Sequence, residues 1–257
     1  MKPDPILFSL GPLSVRWYGL LIVIGIILGT LLAFLEARRQ EIDTERFFNV
    51  CMAAVILGVI GARAYYVAFN WDFYSANPIK ILAIYEGGLA IHGALFAGGL
   101  VFAFMGLVYR IGAWKSLDIA APSAVLGQAI GRWGNFFNQE AFGYIVDPEK
   151  VPWAMIIAGE YRHPTFLYES LWDLLIFFFL LIYRRQKGLQ NGYVFLMYAF
   201  LYSAGRFVIE GFRTDSLMLG GLRAAQVVSV LALLLSLLTM FLRRKGKDLG
   251  GKVINVR

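Results

Sequence analysis

Hydrophobic residues along this chain fall into long runs that are separated by short polar connections. A transmembrane helix needs roughly 20 mostly apolar residues, and seven runs come close to that length. They predict seven helices near residues 17–35, 47–69, 89–109, 117–136, 166–183, 193–212 and 222–242. The second and sixth runs contain charges and the fourth ends in polar residues, so hydropathy alone scores these three lower. The pattern predicts an all-α polytopic membrane protein with one membrane domain over residues 1–257.

Composition supports a lipid environment and excludes some classes of function. Hydrophobic residues make up 59% of the chain and charged residues only 16%, a balance typical of membrane proteins. The net charge of +7 could indicate nucleic-acid binding, but the basic residues lie mainly in short loops beside apolar runs. We therefore expect no nucleic-acid partner. The single cysteine, Cys51, excludes an internal disulfide and is expected to be an inert packing thiol. The sequence shows no metal-ligand cluster, so we expect no metal and no cofactor.

The loops predict an orientation, because basic residues are retained on the cytoplasmic side of a membrane. The connections after the first, third, fifth and seventh runs are the more basic set, with pairs such as Arg38–Arg39 and Arg184–Arg185. We expect the amino terminus outside, the carboxyl terminus inside and the first run retained as a helix. The longest outer connection, residues 139–165, is expected to form a small periplasmic head region.

Residues 131–143 place many polar groups at the end of the fourth run. A charge at membrane depth costs at least about 2.5 kcal/mol on insertion scales, so an ordinary span would carry Leu or Val instead. This segment is therefore the first candidate for a functional site. Its polar side chains are Arg132, Asn135, Asn138, Gln139 and Glu140.

Helix arithmetic brings other polar residues to a similar depth. At 1.5 Å per residue, Arg132 lies roughly 22 Å from the inner entry of its helix, in the outer third of the hydrocarbon. The same reasoning predicts a shared depth for Tyr18, Arg63, His92, Tyr202, Arg206 and Glu210. We therefore expect one polar site near the outer leaflet.

Each of these residues also has a simpler interpretation. Tyr18, with Trp17 beside it, could be an interfacial anchor, and Arg63 could extend its charge to the outer headgroups. Arg206 and Glu210 are four residues apart and could neutralise each other on one helix face. His92 could be a hydrogen-bonding group only, although the glycines around it would allow close approach of a ligand or a helix.

The combined residues suit chemistry at a lipid phosphate. Guanidinium groups match phosphate oxygens and stay charged when partly buried, and amides such as those of Asn135 and Asn138 suit hydroxyl groups. A histidine with a near-neutral pKa can remove a proton from a nucleophile. A transporter for an anionic solute would use similar residues, but the inner halves of the predicted spans are almost purely apolar. A purely structural subunit would have no use for charges on several spans, and the motifs of intramembrane proteases are absent.

Residues 131–140 with Gly143 resemble the signature of bacterial prolipoprotein diacylglyceryl transferases. Four further segments agree, in order along nearly the whole chain. They are Arg16–Gly19, Ile91–Gly93, His163–Thr165 with Leu167–Glu169, and Tyr202–Phe207 with Glu210. Ala94 departs from the pattern, because many members have glycine there, and this puts little in doubt.

The resemblance implies a seven-helix enzyme of the bacterial inner membrane with its site toward the periplasm. Such enzymes join the diacylglyceryl group of phosphatidylglycerol to the lipobox cysteine of prolipoprotein signal peptides, which forms a thioether and releases glycerol 1-phosphate. On this basis we predict His92, Arg132 and Arg206 as catalytic residues. The predicted substrate-binding residues are Tyr18, Arg63, Arg132, Asn135, Asn138, Glu140, Glu169, Tyr202, Arg206 and Glu210.

The hypothesis also gives these residues separate roles. His92 removes the thiol proton, while Arg132 and Arg206 stabilise the leaving phosphate. Tyr18 and Asn135 contact the headgroup. Glu140 and Glu210 are expected to orient the arginines, and Glu169 to support the site from the fifth helix.

Overall fold

A computed structural model describes residues 3–11, 13–84, 87–157 and 159–254, and it is mostly helical. Each of the seven predicted runs coincides with a long helix. Two short elements were not predicted: helix α3 (Trp71–Ala76) and a 3₁₀ turn at Pro78–Leu82. The helices are α1 (Trp17–Arg39), α2 (Thr44–Phe69), α3 (Trp71–Ala76), α4 (Ile91–Val108), α5 (Ala113–Asn138), α6 (Thr165–Tyr183), α7 (Tyr193–Glu210) and α8 (Ala224–Ile254).

Five of the described helices are long and apolar enough to cross a membrane. They are α1, α2, α4, α6 and the Ala224–Arg244 part of α8. Helices α5 and α7 have 26 and 18 residues, but polar side chains of the candidate site lower their hydropathy. The chain is therefore a multi-pass membrane protein, and the total of seven spans stays a prediction.

Three small antiparallel hairpins accompany the helices, and the sequence analysis did not predict them. They pair β1 (Ile6–Leu10) with β2 (Leu13–Arg16), β3 (Met155–Ile157) with β4 (Glu160–Arg162), and β5 (Met218–Leu219) with β6 (Leu222–Arg223). Strands of two to five residues are too short to give a clear alternation of polar and apolar positions.

The chain divides into two compact units, of which one is Thr30–Ala120. Within it, α2 packs closely against α4 at Gly61 and Gly93, since a Cβ on Gly93 would overlap the Gly61 carbonyl. Its core includes Phe47, which is fully buried, and Cys51, which is 5% exposed. The thiol is therefore buried among apolar side chains, as predicted.

The other unit comprises Met1–Gly29 and Ala121–Arg257, and glycines bring its helices close together. A Cβ on Gly25 of α1 would lie 3.3 Å from the Gly127 Cα of α5, so the two helix backbones approach closely at these glycines. On α7, a Cβ on Gly205 would overlap the indole of Trp172 from α6. The Trp172 indole N–H donates to the Leu201 carbonyl at 3.0 Å and fixes α6 against α7.

Candidate active site

Helix α5 ends inside the polar 131–143 segment, in a Schellman motif. Gln139 adopts a left-handed conformation with φ of 53°, and its N–H donates to the Phe136 carbonyl at 3.1 Å. The Glu140 N–H donates to the Asn135 carbonyl at 3.0 Å. This pair of bonds satisfies carbonyls that the end of a helix leaves open. The Gln139 side-chain amide also donates to the Phe136 carbonyl at 2.9 Å, so this polar side chain helps to end the helix.

Glu140 has partners different from those predicted. Its Oε1 accepts hydrogen bonds from the side-chain amides of Asn135 at 3.0 Å and Asn138 at 3.2 Å. The expectation was that Glu140 orients the arginines, but among the described contacts it orients these two amides instead. The sequence could not distinguish the two, because asparagine and arginine are both donors within reach of a carboxylate at a helix end.

Glu169 on α6 lies at the centre of the charged residues. Its Oε2 is 2.6 Å from Arg132 Nε, and its Oε1 accepts a hydrogen bond from Arg206 Nη1. The same Oε1 is 3.6 Å from Arg213 Nη1. With only 5% of its side chain exposed, Glu169 holds arginines from α5, α7 and the segment after α7. The sequence had predicted Glu169 as a substrate-binding residue that supports the site from the fifth helix.

Glu210 is the second carboxylate that pairs with these arginines. It lies 2.8 Å from Arg206 Nη2 and 3.9 Å from Arg213 Nε, so the predicted pair four residues apart on α7 is confirmed. We call Arg132, Arg206, Arg213, Glu169 and Glu210 the arginine cluster.

Arg213 is the member of the cluster that was not predicted, because it lies just outside the run predicted near 193–212. Its guanidinium also binds Asp215, with Nη2 to Oδ2 at 2.8 Å. Burial tends to raise the pKa of the Asp215 carboxyl, but the hydrogen bonds and the charge of Arg213 outweigh burial and lower the pKa below its usual value. The spacing of Arg213, three residues after Glu210, was the available signal.

The 139–165 segment holds the backbone around Arg213. Gly143 forms an isolated β-bridge with Arg213, and the Tyr144 N–H donates to the Phe212 carbonyl at 3.0 Å. A Cβ on Gly143 would lie 2.6 Å from the Cβ of His163 and 2.9 Å from the Phe212 oxygen. Only glycine fits at this crossing, which gives a physical reason for the glycine of the resemblance.

Two tyrosines complete the surroundings of Arg132. The Tyr202 hydroxyl accepts a hydrogen bond from Arg132 Nη2 at 3.2 Å. The Tyr18 ring packs so closely on Gly134 that a Cβ there would overlap it, and Tyr18 is within electrostatic range of Glu140 and Arg132. The structure therefore brings together the predicted residues of α1, α5, α6 and α7.

Arg63 has a different role from the predicted one. Its side chain is buried, at 7% exposure, and a guanidinium has five N–H donors. All five point to backbone carbonyls of the loop between α3 and α4, which leaves no donor for a phosphate. The acceptors are the carbonyls of Lys80, Ile81, Ala83, Gly87 and Gly88.

His92 is an exposed residue at the start of α4. Its ring centroid lies 6.1 Å from that of Tyr65, and the adjacent Gly93 makes the close approach to α2. His92 and Arg63 belong to the Thr30–Ala120 unit, and the arginine cluster belongs to the other unit. The depth that the sequence predicts for all of them, and the catalytic role of His92, stay predictions.

A small cavity of about 10 Å³ adjoins the arginine cluster. Its walls include Asp173, a buried carboxyl that the sequence analysis overlooked. The lining residues are Glu169, Trp172, Asp173, Tyr202, Arg206 and Ile209. The described residues contain no group of three His, Cys, Asp or Glu side chains that could hold a metal ion.

The cluster is chemically suited to an anion. The three guanidinium groups pair with Glu169 and Glu210, and Arg213 pairs with Asp215 as well. The arginine side chains are only 12% to 17% exposed. In such surroundings charge interactions are stronger than in water. Preset donors of this kind stabilise negative charge that develops during a reaction.

Comparison with known proteins gives a consistent result. A family model described as prolipoprotein diacylglyceryl transferase matches residues 5–242, which include the whole arginine cluster. Three curated relatives from Streptococcus pneumoniae strains Hungary19A-6, Taiwan19F-14 and JJA are named phosphatidylglycerol–prolipoprotein diacylglyceryl transferase. Each is 47% identical to this chain over 250 residues, which cover 95% of this chain and 95% of the relative.

Proposed function

The chain belongs to the prolipoprotein diacylglyceryl transferase family, and we propose that it transfers the diacylglyceryl group of phosphatidylglycerol to a prolipoprotein. The acceptor is the thiol of the lipobox cysteine in the signal peptide of the prolipoprotein. The products are a thioether-linked lipid and glycerol 1-phosphate. The observation that supports this proposal is the arginine cluster, whose buried guanidinium groups are suited to a lipid phosphate, in a multi-pass membrane protein.

Arg132 and Arg206 bind the phosphate of the lipid. Both are held by Glu169, so their guanidinium groups are positioned before the lipid arrives. A guanidinium presents two parallel donors to phosphate oxygens, and the low exposure of both side chains reduces competition from water. Binding in a preset geometry avoids the cost of ordering flexible side chains.

The reaction is a substitution at carbon. The thiolate sulfur attacks the glycerol carbon that bears the phosphate ester, a carbon–sulfur bond forms, and the carbon–oxygen bond breaks. The electron pair of that bond stays on the phosphate, where Arg132 and Arg206 stabilise it. The thiol has a pKa near 8.5 when free, and His92 accepts its proton. Its exposed position gives the imidazole access to a substrate.

The remaining predicted residues surround the headgroup. The amides of Asn135 and Asn138, which Glu140 holds, offer contacts to hydroxyl groups. Tyr18 packs beside them on Gly134. We place the protein in the bacterial inner membrane, as the family resemblance implies, and the distribution of basic loops supports a site toward the periplasm.

The experiment measures transfer of labelled phosphatidylglycerol to a lipobox peptide by the purified protein in detergent. Arg206→Ala is expected to reduce the rate about 100- to 1,000-fold, the typical cost of one lost donor to a developing anion. His92→Ala should also be slow. Ser236→Ala is the control, because Ser236 is buried on α8 and bonds within its own helix to the Ala232 carbonyl at 2.7 Å.

The outcomes separate the function from the mechanism. Absence of transfer by the wild-type protein would contradict the proposed function. Wild-type rates in both Arg206→Ala and His92→Ala would contradict the mechanism alone. Substantial activity in His92→Gln would show that the histidine is a hydrogen-bonding group and not the base.

A further inference from the structure

Asp173 is a buried carboxyl whose Oδ2 receives no hydrogen bond from the part of the chain that the structure describes. It lies on α6 one turn after Glu169 and is 1% exposed. Its Oδ2 has no partner among the described residues. A buried acceptor that is left unsatisfied is costly, and more so when it carries a charge. A bound molecule that donates a hydrogen bond to this carboxyl would remove that cost.

The other carboxylates of the site differ from Asp173. Glu169 Oε2 and Glu210 Oε2 also accept no well-aligned hydrogen bond, but they lie 2.6 Å and 2.8 Å from arginine nitrogens. Asp173 is within electrostatic range of Arg132 and Arg206, and no ion pair joins it to either among the described contacts. Its acceptor capacity is therefore still available.

The cavity beside Asp173 fits a single hydroxyl group. Its volume of about 10 Å³ holds about one water-sized group. The Trp172 indole is already committed to the Leu201 carbonyl. The Tyr202 hydroxyl accepts from Arg132 and keeps its own hydrogen for donation. An incoming hydroxyl can donate a hydrogen bond to the Asp173 carboxyl and accept one from the Tyr202 hydroxyl.

We infer that Asp173 accepts a hydrogen bond from a headgroup hydroxyl of the lipid whose phosphate lies on Arg132 and Arg206. The inference rests on the proposed function, since the glycerol headgroup of phosphatidylglycerol supplies the hydroxyl. Asp173 then acts as a specificity residue, because a headgroup without a hydroxyl leaves its carboxyl unsatisfied. Sites built to bind a hydroxyl reject analogues that lack it for this reason.

The test compares two donor lipids of matched acyl chains, phosphatidylglycerol and phosphatidylpropanol, whose headgroup has three carbons and no free hydroxyl. The kcat/KM for transfer to a lipobox peptide is measured for each in the same detergent micelles. The wild-type protein is expected to prefer phosphatidylglycerol by about 5- to 150-fold, the range that corresponds to leaving one buried acceptor unsatisfied.

The preference should collapse toward unity in Asp173→Ala and be intermediate in Asp173→Asn, which keeps one acceptor oxygen and the size of the side chain. A merely structural role for Asp173 would reduce both rates equally and leave the preference unchanged. Ser170→Ala is the matched control. Ser170 is also buried on α6 and donates to the Ala129 carbonyl at 2.8 Å, so its loss should not alter the preference.

The results distinguish this inference from the function on which it rests. Transfer from phosphatidylglycerol with an unchanged preference in Asp173→Asn would overturn the inference and leave the function intact. A wild-type protein that transfers from both lipids equally would overturn it as well. A wild-type protein that transfers from neither would overturn the proposed function and the inference together. If Asp173→Ala does not fold, Asp173→Asn alone decides.

Discussion

Replacing Glu169 with glutamine should disable the arginine cluster while it preserves the shape of the side chain. The carboxylate pairs with Arg132 at 2.6 Å and also with Arg206 and Arg213. A neutral amide can accept from one guanidinium at its oxygen, but it presents N–H donors on the other side. At least one arginine then faces a donor where an acceptor stood before.

The magnitude follows from burial. Glu169 is 5% exposed, and its partners Arg132 and Arg206 are 17% and 15% exposed, so solvent screens these charges only weakly. Removal of one partner from a buried ion pair costs about 3 to 5 kcal/mol, because the remaining charge is left uncompensated. A displacement of a positioning group by about 1 Å costs on the order of 100-fold in rate. We expect both effects in Glu169→Gln.

The assay combines thermal unfolding in detergent with the rate of diacylglyceryl transfer. Glu36→Gln is a matched control, because Glu36 is also buried, at 2% exposure, and binds Arg39 outside the site. Arg39 is 45% exposed, so water can replace part of the lost interaction. The control should unfold at a slightly lower temperature and retain the wild-type rate.

The reasoning would be refuted by a Glu169→Gln protein with the wild-type unfolding temperature and transfer rate. It would also be refuted if Glu36→Gln lost as much activity as Glu169→Gln, because the effect would then belong to any buried carboxylate.

Three further predictions concern the surroundings of the site. Arg63→Lys replaces five donors with three, so we expect a loss of about 2 kcal/mol or more, seen as a lower unfolding temperature and faster proteolysis of the 80–88 loop. Gly134→Ala would overlap the Tyr18 ring, so we expect a loss of about 1 to 3 kcal/mol and slower transfer. Asp215→Asn should be less stable than wild type at neutral pH. The ion pair stabilises the folded state above the ordinary carboxyl pKa of 3.8, and this contribution disappears as the pH falls through the lowered native pKa. With the Asp215 side chain 40% exposed, screening limits the difference to about 1 kcal/mol.

Each of these predictions has a result that would contradict it. For Arg63→Lys it is an unchanged rate of loop proteolysis, and for Asp215→Asn it is a stability difference that grows as the medium becomes acidic. Gly131→Ala serves as the control for Gly134→Ala, because a Cβ on Gly131 would meet only the Ile22 side chain at an ordinary 3.5 Å. Equal effects of the two alanines would exclude contact with Tyr18 as the cause.

The helices were predictable because their signal is long and local. The run predicted near 193–212 became Tyr193–Glu210, and the run near 17–35 became Trp17–Arg39. Hydropathy over about 20 residues identifies such elements regardless of their neighbours. The hairpin of Met218–Leu219 with Leu222–Arg223 has too few residues for any periodic pattern. Its pairing depends on tertiary contacts, which the sequence alone does not give.

The sequence indicated which residues belong to the candidate site, but not which of them form ion pairs with each other. Residues that are costly in a membrane, such as Arg132 and Arg206, could be identified one by one. Which carboxylate holds which arginine depends on how α6 faces α5 and α7. Among the described contacts, Glu169 makes the arginine contacts that had been predicted for Glu140. Asp173 was overlooked because one acidic residue in an apolar run gives no sign of its unsatisfied oxygen.

The pairing of arginines with carboxylates also bears on the release of product in the proposed reaction. Glycerol 1-phosphate is a phosphate monoester and carries more negative charge than the diester from which it forms. Three unpaired arginines would hold it more tightly than the substrate, and product release would then limit turnover. Glu169 and Glu210 compete with the phosphate for the same guanidinium groups. When the phosphate leaves, these carboxylates still balance the charge of the arginines. We therefore expect the cluster to bind the product less tightly than three unpaired arginines would, and to release it faster.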